Sequence, residues 1–175
     1  MSQELSPTVD FLIHAADTHD AAVLRHIRLA ALRTAPEAFG TQESEVRVQP
    51  LQYFIDLIRR GNYFLAFNQN EVIGMSSYGT YVIAGQRCAG LYGLFVQPTF
   101  RGHGVAEALV RSVEKMTRNA GYNSLYLDVN PAMTAALRLY ERLGFVDTGT
   151  YRAMDREPLI SLMQMKKTID LNHHV

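Results

Sequence analysis

Apolar residues along the chain change their period several times, and each change marks an element. After a short apolar run, Val9 to Ile13, the stretch Thr18 to Arg33 places Val23, Leu24, Ile27, Ala30 and Ala31 at the spacing of one helical face. Pro36 breaks that pattern, and PEAFGTQESEV reads as a polar connection. Pro50 then opens a second helix, with Phe54, Leu57 and Ile58 on its buried face and Gly61 at its end. From Tyr63 the period shortens: YFLAF, the turn-like NQNE and VIGMSSYGTYVI predict a hairpin, and AGQR turns the chain into CAGLYGLFV, a third antiparallel strand. Gly104 to Asn119 returns to helical spacing, with Val105, Leu109, Val110, Val113 and Met116 on one stripe and Gly121 beyond it. SLYLDV predicts a buried strand, MTAALRLYERL a helix ended by Gly144, and FVDTGTY and LISLMQMKK two closing strands. The order of helices, meander and β-α-β-α-β-β run predicts a mixed α/β sheet flanked by about four helices.

Composition adds boundaries. The 175 residues, 47% hydrophobic, suit one globular domain over 1–175, and no repeat or linker divides them. Seventeen basic residues balance seventeen acidic ones, so nothing provides the positive field that nucleic-acid binding needs. No apolar run nears the roughly 20 residues that span a bilayer, and MSQELSPTVD lacks the layout of a signal peptide, so no membrane partner and a cytoplasmic location are expected. The single cysteine, Cys88, reads as a small buried residue, and His14, His19, His26, His173 and His174 show no metal-ligand spacing, so no metal is expected.

The most informative stretch is LFVQPTFRGHGVAEAL, Leu94 to Leu109, where a strand passes through Pro98 into a glycine-containing turn that opens a helix. A helix start has unpaired N–H groups and partial positive charge, and Gly102 and Gly104 let the backbone approach an anion such as phosphate. GHGVAE lacks the third glycine of the dinucleotide fingerprint, and Gly104-Val105-Ala106 lacks the lysine and hydroxyl of the Walker loop. The segment Arg101-Gly102-His103-Gly104-Val105-Ala106 resembles the R/Q-x-x-G-x-G/A signature of the GNAT superfamily of N-acetyltransferases. LYLDVNPAMTAALRLYERLGF, Leu125 to Phe145, is similar to that family's second signature, ending in L-Y-x-x-x-G-F.

The resemblance implies a mostly antiparallel sheet splayed between its fourth and fifth strands, with acetyl-CoA as acyl donor in the gap. By the same resemblance, the backbone of Leu94, Phe95 and Val96 binds the pantetheine arm, and the amides of Arg101, Gly102, His103, Gly104, Val105 and Ala106 bind the pyrophosphate. Tyr140 aligns with the family tyrosine that hydrogen-bonds the departing sulfur. A phenol near pKa 10 protonates a thiolate near 8.5 only at a cost of roughly 2 kcal/mol, so donation of a hydrogen bond is the simpler role. Met133 stands where the family often has a cofactor-contacting asparagine, and Asn130 either substitutes for it or is a turn residue before Pro131.

The general base is the open point. Family members often carry a glutamate on the fourth strand, where this chain reads GLYGLFV. Tyr92 holding a water, Asp128, Glu37, Glu43 and Glu45 are the candidates, beside direct loss of the amine proton to water. The expected reaction is direct acetyl transfer to a primary amine of a small molecule or peptide. Glu37, Glu43 and Glu45 weakly favour a cationic acceptor, though a solvated acidic loop explains them more simply, and a homodimer is compatible with the sequence. The rival expectation is an acyl-CoA-binding sensor without turnover, supported by the missing acid.

Overall fold

A computed structural model describes residues 9–155 and 157–171. His173 and His174 lie outside the described residues, as do the first eight residues of the segment read for a leader. Seven strands form one sheet: β1 (Leu12–Ala15), β2 (Asn62–Asn68), β3 (Glu71–Ile83), β4 (Gln86–Val96), β5 (Ser124–Val129), β6 (Val146–Ala153) and β7 (Ser161–Thr168). Their order is β1-β2-β3-β4-β5-β7-β6, antiparallel except for the parallel β4–β5 pair. The helices are α1 (Ala21–Thr34), α2 (Glu43–Arg47), α3 (Leu51–Arg60), α4 (Val105–Asn119) and α5 (Thr134–Arg142).

Strand alternation distributes the core to both faces. On β2, Leu65 joins Leu24, Ile27 and Phe54 of α1 and α3, whereas its neighbour Ala66 joins Val105 and Leu109 of α4. A further cluster packs Val110 and Val113 of α4 with Leu125 and Leu127 of β5, Tyr140 of α5 and Met165 of β7. Tyr126 and Asp128, which alternate with those leucines, therefore belong to the opposite face of β5.

The predicted elements are present, with three local differences. Helix α1 begins three residues late, because Thr18–Asp20 is a single 3-10 turn. There the Asp17 carboxylate accepts from the His19 amide at 2.7 Å and the Asp20 carboxylate from the Asp17 amide at 3.0 Å. Within the connection read as polar lies α2, a five-residue helix that buries Val46 and opens with a reciprocal Gln42–Glu45 cap. On α4 the buried stripe ends in Thr117 and Glu114, while Met116 is only half-buried. The Lys167 ammonium donates to Glu114 at 2.6 Å and ties α4 to β7.

Two features of β4 open the sheet. Its pairing with β5 consists of Ala89↔Leu125 and Gly90↔Tyr126, so from Leu91 onward β4 has no strand on that side. On the other side the register slips: Met75 faces Phe95 and Ser77 faces Tyr92, so Gly93 and Leu94 both stand opposite Ser76. This is a β-bulge, and its first residue, Gly93, has φ +60°, a conformation that a side chain disfavours.

Candidate active site

The gap between β4 and β5 is the meeting point of two cavities. One, of about 720 Å³, runs along Leu94, Phe95 and Val96 to Arg101, Gly102 and the first residues of α4, and is closed by Met133, Leu139 and Tyr140. The other, of about 780 Å³, is bounded by α1, α3 and the inner ends of β3, β4 and β5, with Arg152 and Met154 on its far wall. Ala38, Phe39, Leu94, Met133, Ala136 and Tyr140 line both.

The start of α4 is an anion cradle. Gly104 caps it with φ +83° and offers the helix no side chain. The first bond of the helix is from the Ala108 amide to the Gly104 carbonyl at 3.0 Å, which leaves the amides of Val105, Ala106 and Glu107 without a helical acceptor. Arg101 lies on the same wall but differs from expectation, since its amide approaches the Pro98 carbonyl at 3.3 Å. Its Nε donates to the Val96 carbonyl at 3.0 Å, so Arg101 offers its remaining guanidinium N–H groups and its charge. His103 does not line the cleft, and its Nδ1 is buried without a partner among the described residues. Asn130 opens on the second cavity and accepts from the Ala132 amide at 3.0 Å, the turn-forming alternative for that residue.

Tyr140 is the single buried residue of α5, with its ring edge-to-face against Phe145 at 5.7 Å. Its hydroxyl has no hydrogen-bond partner among the described residues, and burial pushes its phenol well above the ordinary value. In the second cavity, both oxygens of Asp128 are taken. Tyr81 donates to Oδ1 at 2.7 Å, and Arg152 donates to Oδ2 through Nε at 2.9 Å and Nη2 at 2.8 Å. Gln164 donates to the Tyr81 oxygen at 3.1 Å, and burial together with the Asp128 contact pushes the Tyr81 phenol up to about 12. Tyr92 lines this cavity, but its hydroxyl donates to the Thr80 carbonyl at 2.8 Å.

The glutamates expected near the acceptor are elsewhere. Glu43 is paired with Arg47 and Arg33, Glu45 accepts from the Gln42 amide at 3.3 Å, and Glu37 lines the first cavity. Phe39, Ala136 and the Tyr81–Asp128–Arg152 cluster carried no signal in the sequence, and Met133, read there only as the replacement of a cofactor-contacting asparagine, lines both cavities. The cluster joins β3, β5 and β6 with no local signal, whereas the second glycine of GLYGLFV was a legible mark of the bulge. Cys88 is half-buried on β4, with its Sγ 3.9 Å from the Gln86 carbonyl. Among the described residues no group of three or more His, Cys, Asp or Glu is arranged for a metal.

A family model for the GNAT acetyltransferases matches residues 25–145, a span that contains the cradle, the gap and Tyr140. The chain belongs to the GNAT acetyltransferase family. Among curated relatives, human N-acetyltransferase 8 is 34% identical over 98 residues, 53% of this chain and 42% of that protein. The chain spans less than half the length of the curated relatives it matches, including 30% of a mouse protein, probable N-acetyltransferase family 8 member 5. The GNAT fold is shared with a GNAT-family acetyltransferase from Streptococcus pneumoniae, with TM-score 0.76 and 20% identity, covering 92% of this chain and 100% of that one. It is shared too with yncA from Salmonella typhimurium, solved with its cofactor acetyl-CoA, with TM-score 0.70 and 21% identity over 95% of this chain and 96% of that one. For a GNAT protein the residues present suit an acyl-CoA. Three amides without a helical acceptor sit at one end of a largely apolar cleft, a strand edge without a partner runs along it, and a phenol without a hydrogen-bond partner among the described residues closes it.

Proposed function

We propose that the chain is an acetyl-CoA-dependent N-acetyltransferase that passes the acetyl group directly to a primary amine of a small molecule, peptide or protein. The observation that carries this reading is that the two cavities meet at Leu94 and Tyr140, in the gap where β4 leaves β5. Bound in the first cavity, acetyl-CoA supplies an acetyl group activated as a thioester. The amides of Val105, Ala106 and Glu107 hold its phosphates, and the edge of β4 from Leu94 to Val96 holds the amides of its arm. A β4 N–H past the bulge stabilises negative charge on the thioester oxygen. Tyr140 donates a hydrogen bond to the sulfur as it leaves. Burial keeps that phenol protonated, so it remains a donor throughout the neutral range. Asp128 is held by Tyr81 and Arg152, so the amine loses its proton to water. The same reading takes the protein as cytoplasmic and compatible with a homodimer.

A second reading, an acyl-CoA sensor without turnover, is favoured by one observation: both carboxylates lining the second cavity, Asp128 and Asp155, stand against Arg152. One experiment separates the two. Acetyl-CoA at about 100 times its dissociation constant adds roughly 2.7 kcal/mol of stability, read as a rise in Tm. Thiol release across a panel of amines, with acetylated product identified by mass spectrometry, accompanies it under the first reading. A rise in Tm without thiol release on any amine supports the sensor, and no rise in Tm overturns both.

A further inference from the structure

The second cavity carries positive charge that the fold leaves unmatched. Five of its lining side chains are formally charged: Arg28, Arg60, Arg152, Asp128 and Asp155. Both acids stand against Arg152, at 2.8 Å and 4.0 Å. Arg28 and Arg60, on the wall made by α1 and α3, have no carboxylate partner among the described residues. Both line the cavity together with the Tyr63 phenol, whose pKa burial raises more than the two guanidiniums lower it.

Arg28 is the more telling of the two. It is half-buried, and its Nε is shielded from solvent without a hydrogen-bond partner. An atom closed to solvent is closed to a ligand in the cavity as well, so what Arg28 offers an anion is its charge and its terminal N–H groups, which have no hydrogen-bond partner among the described residues. Arg60 is exposed and uses its Nε on the Asp56 carbonyl at 3.1 Å, which leaves its terminal N–H groups for the same anion. The same cavity is lined by Leu57, Tyr53, Leu91 and Leu127, beside the polar Thr41, Ser77 and Asn130.

We propose that Arg28 and Arg60 bind a carboxylate carried by the acceptor, so that the substrate class is an amino carboxylate with an apolar body, its amine at the Leu94–Tyr140 junction. This rests on the reading of the cavity as the acceptor side of an acetyltransferase. It replaces the cationic acceptor that the glutamate cluster had favoured, because those glutamates do not line this cavity.

The test compares acids with their own amides: L-leucine, L-phenylalanine and 6-aminohexanoate, each against its carboxamide, with putrescine as a cationic acceptor. A charge-assisted pair of this kind is expected to raise kcat/KM for the acid over the amide about ten- to hundred-fold in at least one pair. The ratio should collapse toward one in Arg28→Gln and recover in part in Arg28→Lys. Arg60→Gln, on an exposed side chain, should lower the ratio too, and it keeps the test alive if Arg28→Gln does not fold. A parent ratio near one for every pair, or putrescine turned over faster than any acid, overturns the carboxylate site and leaves the acetyltransferase reading standing. A second measurement needs no turnover: calorimetric titration of N-acetyl-L-leucine, N-acetyl-L-phenylalanine and 6-acetamidohexanoate into the CoA-saturated protein. Binding that Arg28→Gln weakens at least tenfold supports the carboxylate site even where no amine is acetylated, in which case it is the turnover reading that fails. No binding of any of the three, together with no acid preference, overturns it.

Discussion

Tyr140 sits on α5 with its ring against Phe145 and its hydroxyl unpaired at the junction of two cavities. Its raised phenol pKa makes full proton transfer to a thiolate harder than in water, which leaves donation of a hydrogen bond as its contribution. Tyr140→Phe keeps the ring and its packing, so Tm should change little. Loss of one donor to developing charge is expected to lower kcat about 10²- to 10³-fold, with the KM for acetyl-CoA changed less than about tenfold. Because burial holds the proton on, the parent kcat should show no descending limb near pH 10 from this phenol. A Phe variant with full kcat, in an assay where product release is not limiting, reduces Tyr140 to packing. At this scale the sequence was most informative where a motif named the residue, as for Tyr140 and Gly104. It was least informative for Asp128, whose availability depends on Tyr81 and Arg152, 47 and 24 positions away.

Periodicity found the long elements because each buries a whole face, as α4 does with Val105, Leu109, Val110 and Val113. It missed α2, since five residues with one buried side chain carry no period and owe their helix to the Gln42–Glu45 cap. It also ran helix α1 through the Asp17 turn, where side-chain carboxylates compete for the same amides. The junction of β4 and α4 offers a test matched to its geometry. At Gly104 an added Cβ meets open space but φ is +83°, so Gly104→Val should cost about 1–2 kcal/mol of stability and abolish the acetyl-CoA-induced rise in Tm. Gly85, in the β3–β4 turn, has φ +79° and equally open surroundings, so Gly85→Val imposes similar strain away from the cleft. That variant should keep the rise in Tm, and equal loss in both would detach the cradle from the ligand.

At the scale of the whole molecule, the sheet and its order were legible, but the side of the gap on which a residue falls was not. Asn130, one residue past the end of β5, lines the second cavity and not the first, since β5 has separated from β4 there, which no local pattern records, while Glu43 and Glu45 lie on α2 and line neither cavity. That separation leaves the strands before and after it joined by two residue pairs, by α4, and by side chains such as Tyr81 on Asp128 and Lys167 on Glu114. Tyr81→Phe should therefore speed amide hydrogen exchange in β5 and β7 more than in β2 and β3, and acetyl-CoA should slow it again. Uniform acceleration across the sheet would show that the hydroxyl is not a bridge. In mechanical language, the sheet carries a notch whose tip lies at Gly90 and Tyr126. A plate with a notch concentrates strain at the tip unless something clamps its lips. Under the proposed function the clamp is bound acetyl-CoA, so the protein is stiffest when loaded and most compliant when the cleft is open.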